Sequence, residues 1–239
     1  MKPSLVCLHG WGGTKESFTE LRNALDASGL SLLTPDLPGF GAEHEPKKPW
    51  NTDDFADWVE TYMKKNVNGP CHLLGHSHGG RIALKLAARK SLPIEHLYLC
   101  AAAGIRHPRH FKRMLGLTLA KSGKALLTVP LLKNLQPLGK KLLYKLVRVH
   151  DYEQASDIMR QTLINVSRED LRPILSKIHI ATDIFWGRDD GMTPFSDALI
   201  MNAGIEQSVL HAYDGIRHRV HRDKASEIAT VIRSRMGIV

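Results

Sequence analysis

Residues 75–80 read Gly-His-Ser-His-Gly-Gly, and the rest of the chain can be interpreted from this hexapeptide. It follows an apolar run at 70–74 and precedes a helix-like run at 79–90. A G-x-S-x-G pattern between a strand and a helix is typical of a sharp turn that strains the serine backbone and lifts its side chain clear of the sheet. Glycines are needed there because strand and helix cross too closely for a Cβ atom. The pattern predicts a nucleophilic Ser77; the alternative is a glycine-rich turn with an incidental serine.

Short apolar runs alternate with amphipathic runs on both sides of this turn. The apolar runs predict strands at 4–8, 30–34, 70–74, 94–101, 180–186 and 208–212. Helical spacing or capping residues predict helices at 14–25, 51–65, 79–90, 194–202 and 223–235. Strands that alternate with helices form βαβ units. The chain is therefore expected to have an α/β fold, with a mostly parallel sheet of about six strands flanked by helices.

Length and composition limit the class of protein. The 239 residues suffice for one large domain, or for a domain with a modest insertion. No apolar run approaches the roughly 20 residues of a membrane span, and the first residues leave no room for a signal peptide. The three cysteines (Cys7, Cys71 and Cys100) lack CxxC spacing and are expected to be buried thiols. These features predict a cytoplasmic protein.

Five motifs give the chain its resemblance to a known family. They are HGWGG (9–13), DLPGFG (36–41), GHSHGG (75–80), WGRDDGMTP (186–194) and YDGIRHRVH (213–221). In this order they resemble the alpha/beta-hydrolases, and the resemblance implies a serine hydrolase with an inserted helical cap. The family usually has an antiparallel strand pair before the HG loop. Too few residues precede the first strand for such a pair here, so we expect a shortened, all-parallel sheet.

A nucleophilic serine needs a base within hydrogen-bond reach, and the base needs a third group to hold it. In this fold the chain order is serine, acid, histidine, which leaves mainly His211, His218 and His221 as the base. We favour His218, since it follows Gly215 by three residues and resembles the G-x-x-H of the family.

Two adjacent carboxylates, Asp189 and Asp190, follow the strand predicted at 180–186. Neighbouring residues cannot both point at one imidazole. The resemblance to W-G-x-x-D-x-x-x-P favours Asp190, in register with Trp186 and Pro194, and leaves Asp189 as a loop carboxylate. The acid would fix the tautomer of the histidine and stabilise the imidazolium.

Acyl transfer also needs hydrogen-bond donors where the oxyanion develops. One donor is the backbone N–H of the residue after the nucleophile, which is His78 here. The resemblance assigns the other to the backbone N–H of Trp11, the residue after His9 and Gly10. All three of His9, Gly10 and Asp36 are expected to be structural: His9 and Asp36 would hold their loops through bonds to the backbone, and Gly10 would allow a close approach.

The middle of the chain carries an unusual charge. Between His96 and His150 there are eleven Lys and Arg but no Asp or Glu, against a net charge of +9 for the whole chain. With its many leucines, this segment predicts short amphipathic helices. We assign residues 104–167 to an inserted cap and residues 1–103 and 168–239 to the hydrolase core.

The cap could simply present an apolar face to the pocket and a charged face to water. Alternatively, its positive potential could attract an acidic small-molecule substrate, an acyl carrier protein or an anionic membrane surface. Nucleic acid is not expected, because the basic residues alternate with leucine instead of stacking aromatics.

These features together predict a serine hydrolase that cleaves an ester-like bond of a small, partly apolar substrate through an acyl-enzyme. No metal-binding, dinucleotide or phosphate-loop motif is found in the sequence, so no cofactor or metal is expected. Three alternatives stay open. They are a C–C bond hydrolase of a carboxylate-bearing diketone, a lipase or thioesterase that docks on an anionic surface or carrier protein, and a non-catalytic binding protein on the same fold.

Overall fold

A single parallel sheet organises the computed structural model, which describes residues 3–25, 29–107 and 155–238. Its strands are β1 (Ser4–Leu8), β2 (Ser31–Leu33), β3 (Cys71–His76), β4 (Ile94–Cys100), β5 (Ala181–Gly187) and β6 (Ser208–Tyr213). Their order across the sheet is β2-β1-β3-β4-β5-β6, and every neighbouring pair is parallel. The predicted six-stranded, all-parallel sheet is confirmed.

Helices cover both faces of this sheet, which explains why the central strands are continuous apolar runs. All five residues of β1 and all six of β3 are buried. The described helices are α1 (Thr19–Leu25), α2 (Thr52–Asn66), α3 (His78–Arg89), α4 (Asp157–Arg168), α5 (Arg172–Leu175), α6 (Phe195–Gly204), α7 (Val220–Asp223) and α8 (Ala225–Arg235).

The start of α2 shows how local sequence sets an element boundary. The Asn51 side chain accepts a hydrogen bond from the Asp54 N–H at 3.0 Å, and the Asp54 carboxylate accepts one from the Asn51 N–H at 2.7 Å. This reciprocal pair satisfies two backbone donors that the first helical turn leaves free. Along its length α2 packs on α3, and Asp53 accepts hydrogen bonds from Lys85 and Arg89, both at 2.8 Å.

Two predicted helices differ from the observed ones. The helix predicted at 14–25 is a 3₁₀ turn, Lys15–Phe18, followed by α1, because Thr14 and Ser17 cap the first turn separately. The closing helix predicted from 223 begins at Ala225 and is preceded by the short α7. Lys224 separates the two, since its φ of −124° lies outside the helical range.

A buried carboxylate anchors the last helix to the sheet. Asp183 on β5 is fully buried and accepts hydrogen bonds from His96 Nε2 at 2.8 Å, His211 Nε2 at 2.7 Å and Arg235 Nε at 2.9 Å. Burial alone would raise the pKa of Asp183, but these donors hold it well below its usual range. Because Arg235 belongs to α8, the interaction fixes that helix against the sheet.

Most of the predicted cap, residues 104–167, lies outside the described residues, so its boundaries stay a prediction. The three cysteines are free and buried, as expected. Within the described ranges, no helix has the length and apolar character to cross a membrane.

The strand and helix around Ser77 leave no room for a side chain at the glycines. A Cβ atom on Gly79 would overlap the carbonyl oxygen of Leu8, and one on Gly75 would lie 2.5 Å from the carbonyl oxygen of Gly79. Helix α3 therefore starts in direct backbone contact with the end of β1.

We expect Gly79→Ala to lower the free energy of unfolding by about 3 kcal/mol or more, because two backbone segments must separate. Gly191→Ala is the matched control, since a Cβ atom there meets nothing within 4 Å, and its effect should stay within about 0.5 kcal/mol. Urea unfolding measures both variants. Equal midpoints for the two variants would contradict the close crossing.

Candidate active site

Ser77 lies in the turn between β3 and α3, with a backbone that an L-residue rarely adopts. Its φ is 52° and its ψ is −113°. The Ser77 N–H donates to the Cys100 carbonyl at 3.1 Å, and the Ser77 carbonyl accepts from the Ala103 N–H at 2.8 Å. Such conformations cost about 1–3 kcal/mol and persist where the surroundings fix them. The side chain remains partly exposed.

Asp190 and His218 lie together at the ends of β5 and β6. His218 Nδ1 donates to Asp190 Oδ2 at 2.8 Å, and the second carboxylate oxygen accepts from the backbone N–H groups of Met192 at 2.8 Å and Thr193 at 3.1 Å. Burial opposes the charged form of Asp190, but the histidine and these donors hold its pKa below the usual value. The carboxylate is thus ionised and accepts a hydrogen bond from His218 Nδ1.

This bond fixes the tautomer of His218. A carboxylate only accepts hydrogen bonds, so the Nδ1 atom of His218 must carry the proton. In the neutral ring Nε2 then has a free lone pair, the form in which a histidine acts as a general base.

The other sequence candidates lie elsewhere. Asp189 is exposed, and its backbone N–H donates to the Ile216 carbonyl at 3.0 Å. His211 binds Asp183 on a different part of β5. His221 is buried, with its ring centroid 3.8 Å from that of His76. Of the three candidate histidines, His218 is the one that contacts Asp190.

Thr193 is a site residue that the sequence reasoning missed. Its hydroxyl lies 2.7 Å from Asp190 Oδ2, 3.3 Å from His218 Nδ1 and 3.2 Å from the Ala101 carbonyl. The residue belongs to the quoted WGRDDGMTP motif, and a hydroxyl three positions after the acid was the available signal. Thr193 ties the carboxylate to the end of β4.

The loop after β1 passes directly over Ser77. A Cβ atom on Gly10 would lie 3.2 Å from the Ser77 Cβ. His9 holds this loop, because its Nδ1 donates to the Gly10 carbonyl at 2.8 Å and its Nε2 accepts from the Leu37 N–H at 2.9 Å. Trp11 follows in the same loop.

Asp36 and His78 complete this side of the site. The Asp36 carboxylate accepts from the N–H groups of Lys15 at 2.6 Å and Ala42 at 3.0 Å, so it holds its loop through the backbone as expected. His78 is the first residue of α3, where backbone N–H groups have no partner within the helix.

Five rings form an aromatic cluster beside Ser77: Trp11, Phe40, Trp50, Phe55 and His78. The ring centroid of Trp11 lies 4.9 Å from that of Phe40 and 5.4 Å from that of His78. The ring centroid of Phe55 lies 4.7 Å from that of His78 and 5.0 Å from that of Trp50. Burial lowers the pKa of His78 to about 3, so its ring is neutral. Trp11, Phe40 and Trp50 keep part of their surface exposed.

Helix α4 packs against the edge of this cluster. The Trp50 N–H donates to Thr162 Oγ1 at 3.0 Å, and a Cβ atom on Gly39 would overlap the Met159 side chain. Arg81 on α3 is buried and donates to the Glu169 carbonyl at 2.9 Å. The segment that follows residue 154 is therefore bound to α3, the helix that begins after Ser77.

We expect Thr193→Val to destabilise the buried Asp190 carboxylate and, with it, the folded protein. The variant removes one hydrogen bond to a buried carboxylate, which contributes about 1.5–3 kcal/mol, so the free energy of unfolding at pH 7 should fall by about 2 kcal/mol. Thr193→Ser keeps the hydroxyl and serves as the control. Urea unfolding compares them, and identical midpoints would show that the hydroxyl does not support Asp190.

Buried neutral histidines should make the protein acid-sensitive. Burial lowers the pKa of His72 to about 4, those of His78 and His221 to about 3, and that of His76 well below its usual range. Below pH 6.5 these histidines become protonated in the unfolded chain but stay neutral in the native state. The free energy of unfolding therefore keeps its full value above pH 6.5 and decreases as the pH falls. Each of these histidines lowers the free energy of unfolding by about 1.4 kcal/mol for every pH unit below 6.5.

Urea midpoints measured between pH 7.5 and 5 test this expectation. The variant His221→Phe should reduce the slope of the free energy of unfolding against pH by about 1.4 kcal/mol per pH unit. The exposed His44 provides the control His44→Phe, which should leave the slope unchanged. A midpoint independent of pH across this range would contradict the prediction.

Comparison with known proteins agrees with the observed fold. A family model described as alpha/beta hydrolase fold matches residues 3–224. Lipase 3 of Moraxella sp. (strain TA144) is 28% identical over 219 residues, which are 82% of this chain and 65% of that protein, so the chain spans just under two thirds of this relative. The AB hydrolase superfamily protein YisY of Bacillus subtilis (strain 168) is 26% identical over 239 residues, covering 95% of this chain and 89% of that protein.

A solved structure shows the same fold. The esterase EaEST from Exiguobacterium antarcticum superposes with a TM-score of 0.76 at 23% identity, covering 98% of this chain and 91% of that chain. The family model spans nearly the whole sequence, and the structure has the six-stranded parallel sheet with a strained serine between β3 and α3. The chain therefore belongs to the alpha/beta-hydrolase family.

Proposed function

We propose that the protein is a serine hydrolase that cleaves an ester-like bond of a small, partly apolar substrate. Ser77 would be the nucleophile, His218 the base and Asp190 the residue that orients it. One observation supports this most strongly. The hydrogen bond from His218 Nδ1 to the buried Asp190 is 2.8 Å long and leaves Nε2 as the basic atom of the ring. The loop that carries His218 is also bonded to His76, the residue before Ser77.

The first half of the proposed reaction forms an acyl-enzyme. Ser77 Oγ attacks the carbonyl carbon of the substrate while His218 Nε2 takes the hydroxyl proton. The negative charge moves to the carbonyl oxygen, which would accept hydrogen bonds from the backbone N–H groups of Trp11 and His78. Each such donor is worth about 3–4 kcal/mol in the transition state. The intermediate then collapses, and His218 returns the proton to the leaving alcohol.

Water completes the cycle in the second half. His218 removes a proton from the water as its oxygen attacks the acyl carbon. The acid product leaves when the proton returns to Ser77 Oγ. Asp190 stays ionised throughout, since it stabilises the imidazolium and does not take the proton itself.

The aromatic cluster supports an apolar group on the substrate. Its partly exposed rings lie on the Trp11 and His78 side of Ser77, where the oxyanion donors are proposed. Aromatic rings bury large apolar areas against a ligand. The relative named Lipase 3 also favours an ester with an apolar acyl chain.

The proposed partners of the basic segment rest on its sequence. The lysines and arginines between 109 and 148 lie outside the described residues. Attraction of an acidic substrate, an acyl carrier protein or an anionic membrane surface therefore remains a prediction, as does a cytoplasmic location.

A fluorophosphonate probe and a series of nitrophenyl esters with acyl chains of increasing length test the proposal. We expect the wild type to be labelled and to hydrolyse the esters, and Ser77→Ala to lose labelling and at least about 10³-fold in kcat, in line with triad removal in serine proteases. Ser226→Ala, which changes an exposed serine on α8, is the control and should keep full activity.

Two results would overturn the assignment. A folded wild type that neither labels nor hydrolyses any ester would favour the binding-protein alternative. Consumption of a vinylogous diketone without ester hydrolysis would instead favour the C–C bond hydrolase, with the same three residues in use.

A further inference from the structure

The loop that carries His218 is held on one side by the end of β5. The backbone N–H of Arg188 donates to the Tyr213 carbonyl at 2.9 Å, and that of Asp189 donates to the Ile216 carbonyl at 3.0 Å. A Cβ atom on Gly187 would overlap the Ile216 carbonyl oxygen. These contacts position the loop relative to Asp190, but none of them reaches the nucleophile.

His76 holds the same loop from the other side. Its Nε2 donates to the backbone carbonyl of His218 at 3.1 Å, and the two ring centroids are 4.9 Å apart. Since a carbonyl oxygen only accepts, Nε2 must carry the proton. His76 directly precedes Ser77, so one peptide unit, one imidazole ring and one hydrogen bond connect the strained serine to the backbone of His218.

The His76 ring has little freedom to move. Its centroid lies 3.8 Å from that of His221, and the His221 ring in turn contacts the edge of Phe18 at 5.5 Å. On the opposite side, a Cβ atom on Gly10 would lie 2.9 Å from His76 Nδ1. Burial lowers the pKa of His76 well below its usual range, so the ring is neutral and keeps its single N–H on the His218 carbonyl.

We propose that His76 is a positioning residue that sets the distance between Ser77 and His218, through its Nε2–H bond to the His218 carbonyl and its tilted ring contact with His221. The inference rests on the proposed function, because it assigns His76 to the reaction of that same serine and histidine. His76 touches neither substrate nor reacting atoms. A displacement of about 1 Å between reacting groups can cost about 100-fold in rate, which is the scale on which such a residue acts.

A matched pair of variants separates the hydrogen bond from the bulk of the side chain. His76→Gln keeps an N–H donor at the position of Nε2, whereas His76→Met has a similar length and no donor. We expect His76→Met to lower kcat about 10- to 100-fold with KM changed less than about two-fold, and His76→Gln to restore most of kcat.

The control is His72→Met, which replaces another buried histidine of β3. His72 lies four residues earlier on the same strand and bonds the Tyr98 hydroxyl at 2.8 Å, away from Asp190 and His218. It should lower the melting temperature as His76→Met does and leave kcat unchanged. Equal kcat values for His72→Met and His76→Met would overturn the proposal.

Proton NMR gives a second readout that needs no substrate. The His218 Nδ1 proton bound to Asp190 should produce a low-field resonance in the wild type, in His76→Gln and in His72→Met, and should broaden by exchange with water in His76→Met. If His76→Met does not fold, the ¹H–¹⁵N correlation spectrum of the wild type decides. An Nε2–H tautomer of His76 is expected, and an Nδ1–H tautomer would overturn the proposal.

The two readouts distinguish the inference from the function on which it rests. A wild type that lacks esterase activity and labelling refutes the proposed function, whatever the NMR spectrum shows. The positioning role alone is refuted if the wild type is active and labelled and if folded His76→Met keeps both the kcat and the low-field resonance of the wild type.

Discussion

The direct contact between the first turn of α3 and the end of β1 is the constraint on which the site depends. A Cβ atom at Gly79 would overlap the Leu8 carbonyl, and one at Gly80 would overlap the side chain of Ala102. With no side chain between helix and strands, the turn has only one path. Ser77 must take a φ of 52° to follow it, and the hydroxyl is thereby presented at the edge of the sheet. Tight packing at Gly75, Gly79 and Gly80 thus produces the strained turn that leaves Ser77 partly exposed.

Parallel topology brings the remaining groups to the same edge. In a parallel sheet all carboxyl ends lie together, so the loops after β1, β3, β5 and β6 meet although they are far apart in sequence. The order of the strands also matters. β3 is separated from β5 by β4, and the site spans this gap through Thr193 and His76, which bond the Ala101 and His218 carbonyls respectively. Bonds from polar side chains to the backbone therefore contribute to the spacing of the loops, beside the bond between His218 and Asp190.

Sequence reasoning succeeded where the signal was local. Strands appear as short apolar runs, and the Asn51 cap needs only neighbouring residues. It failed where packing decides. Three features join residues up to 145 positions apart, and no periodicity in the sequence indicates them. They are the contact of His221 with His76, the network around Asp183 and the bonds of the Thr193 hydroxyl. An isolated histidine or aspartate in a sequence has the same appearance whether water or another side chain is its partner.

The bond between His76 and His218 spans 142 residues, and this separation has a consequence for the order of folding. Strands β1 to β4 pair through contacts among the first hundred residues, while Asp190 and His218 arrive with β5 and β6 at one side of the sheet. Domains fold as synthesis proceeds from the N-terminus, and distant parallel pairings form slowly. If Ser77 reacts as we propose, a nascent chain would therefore carry it without its proposed base, His218. The proposed reactivity toward acyl groups would then arise only when the last loop docks, so an incomplete or misfolded chain would not acylate itself on cellular esters.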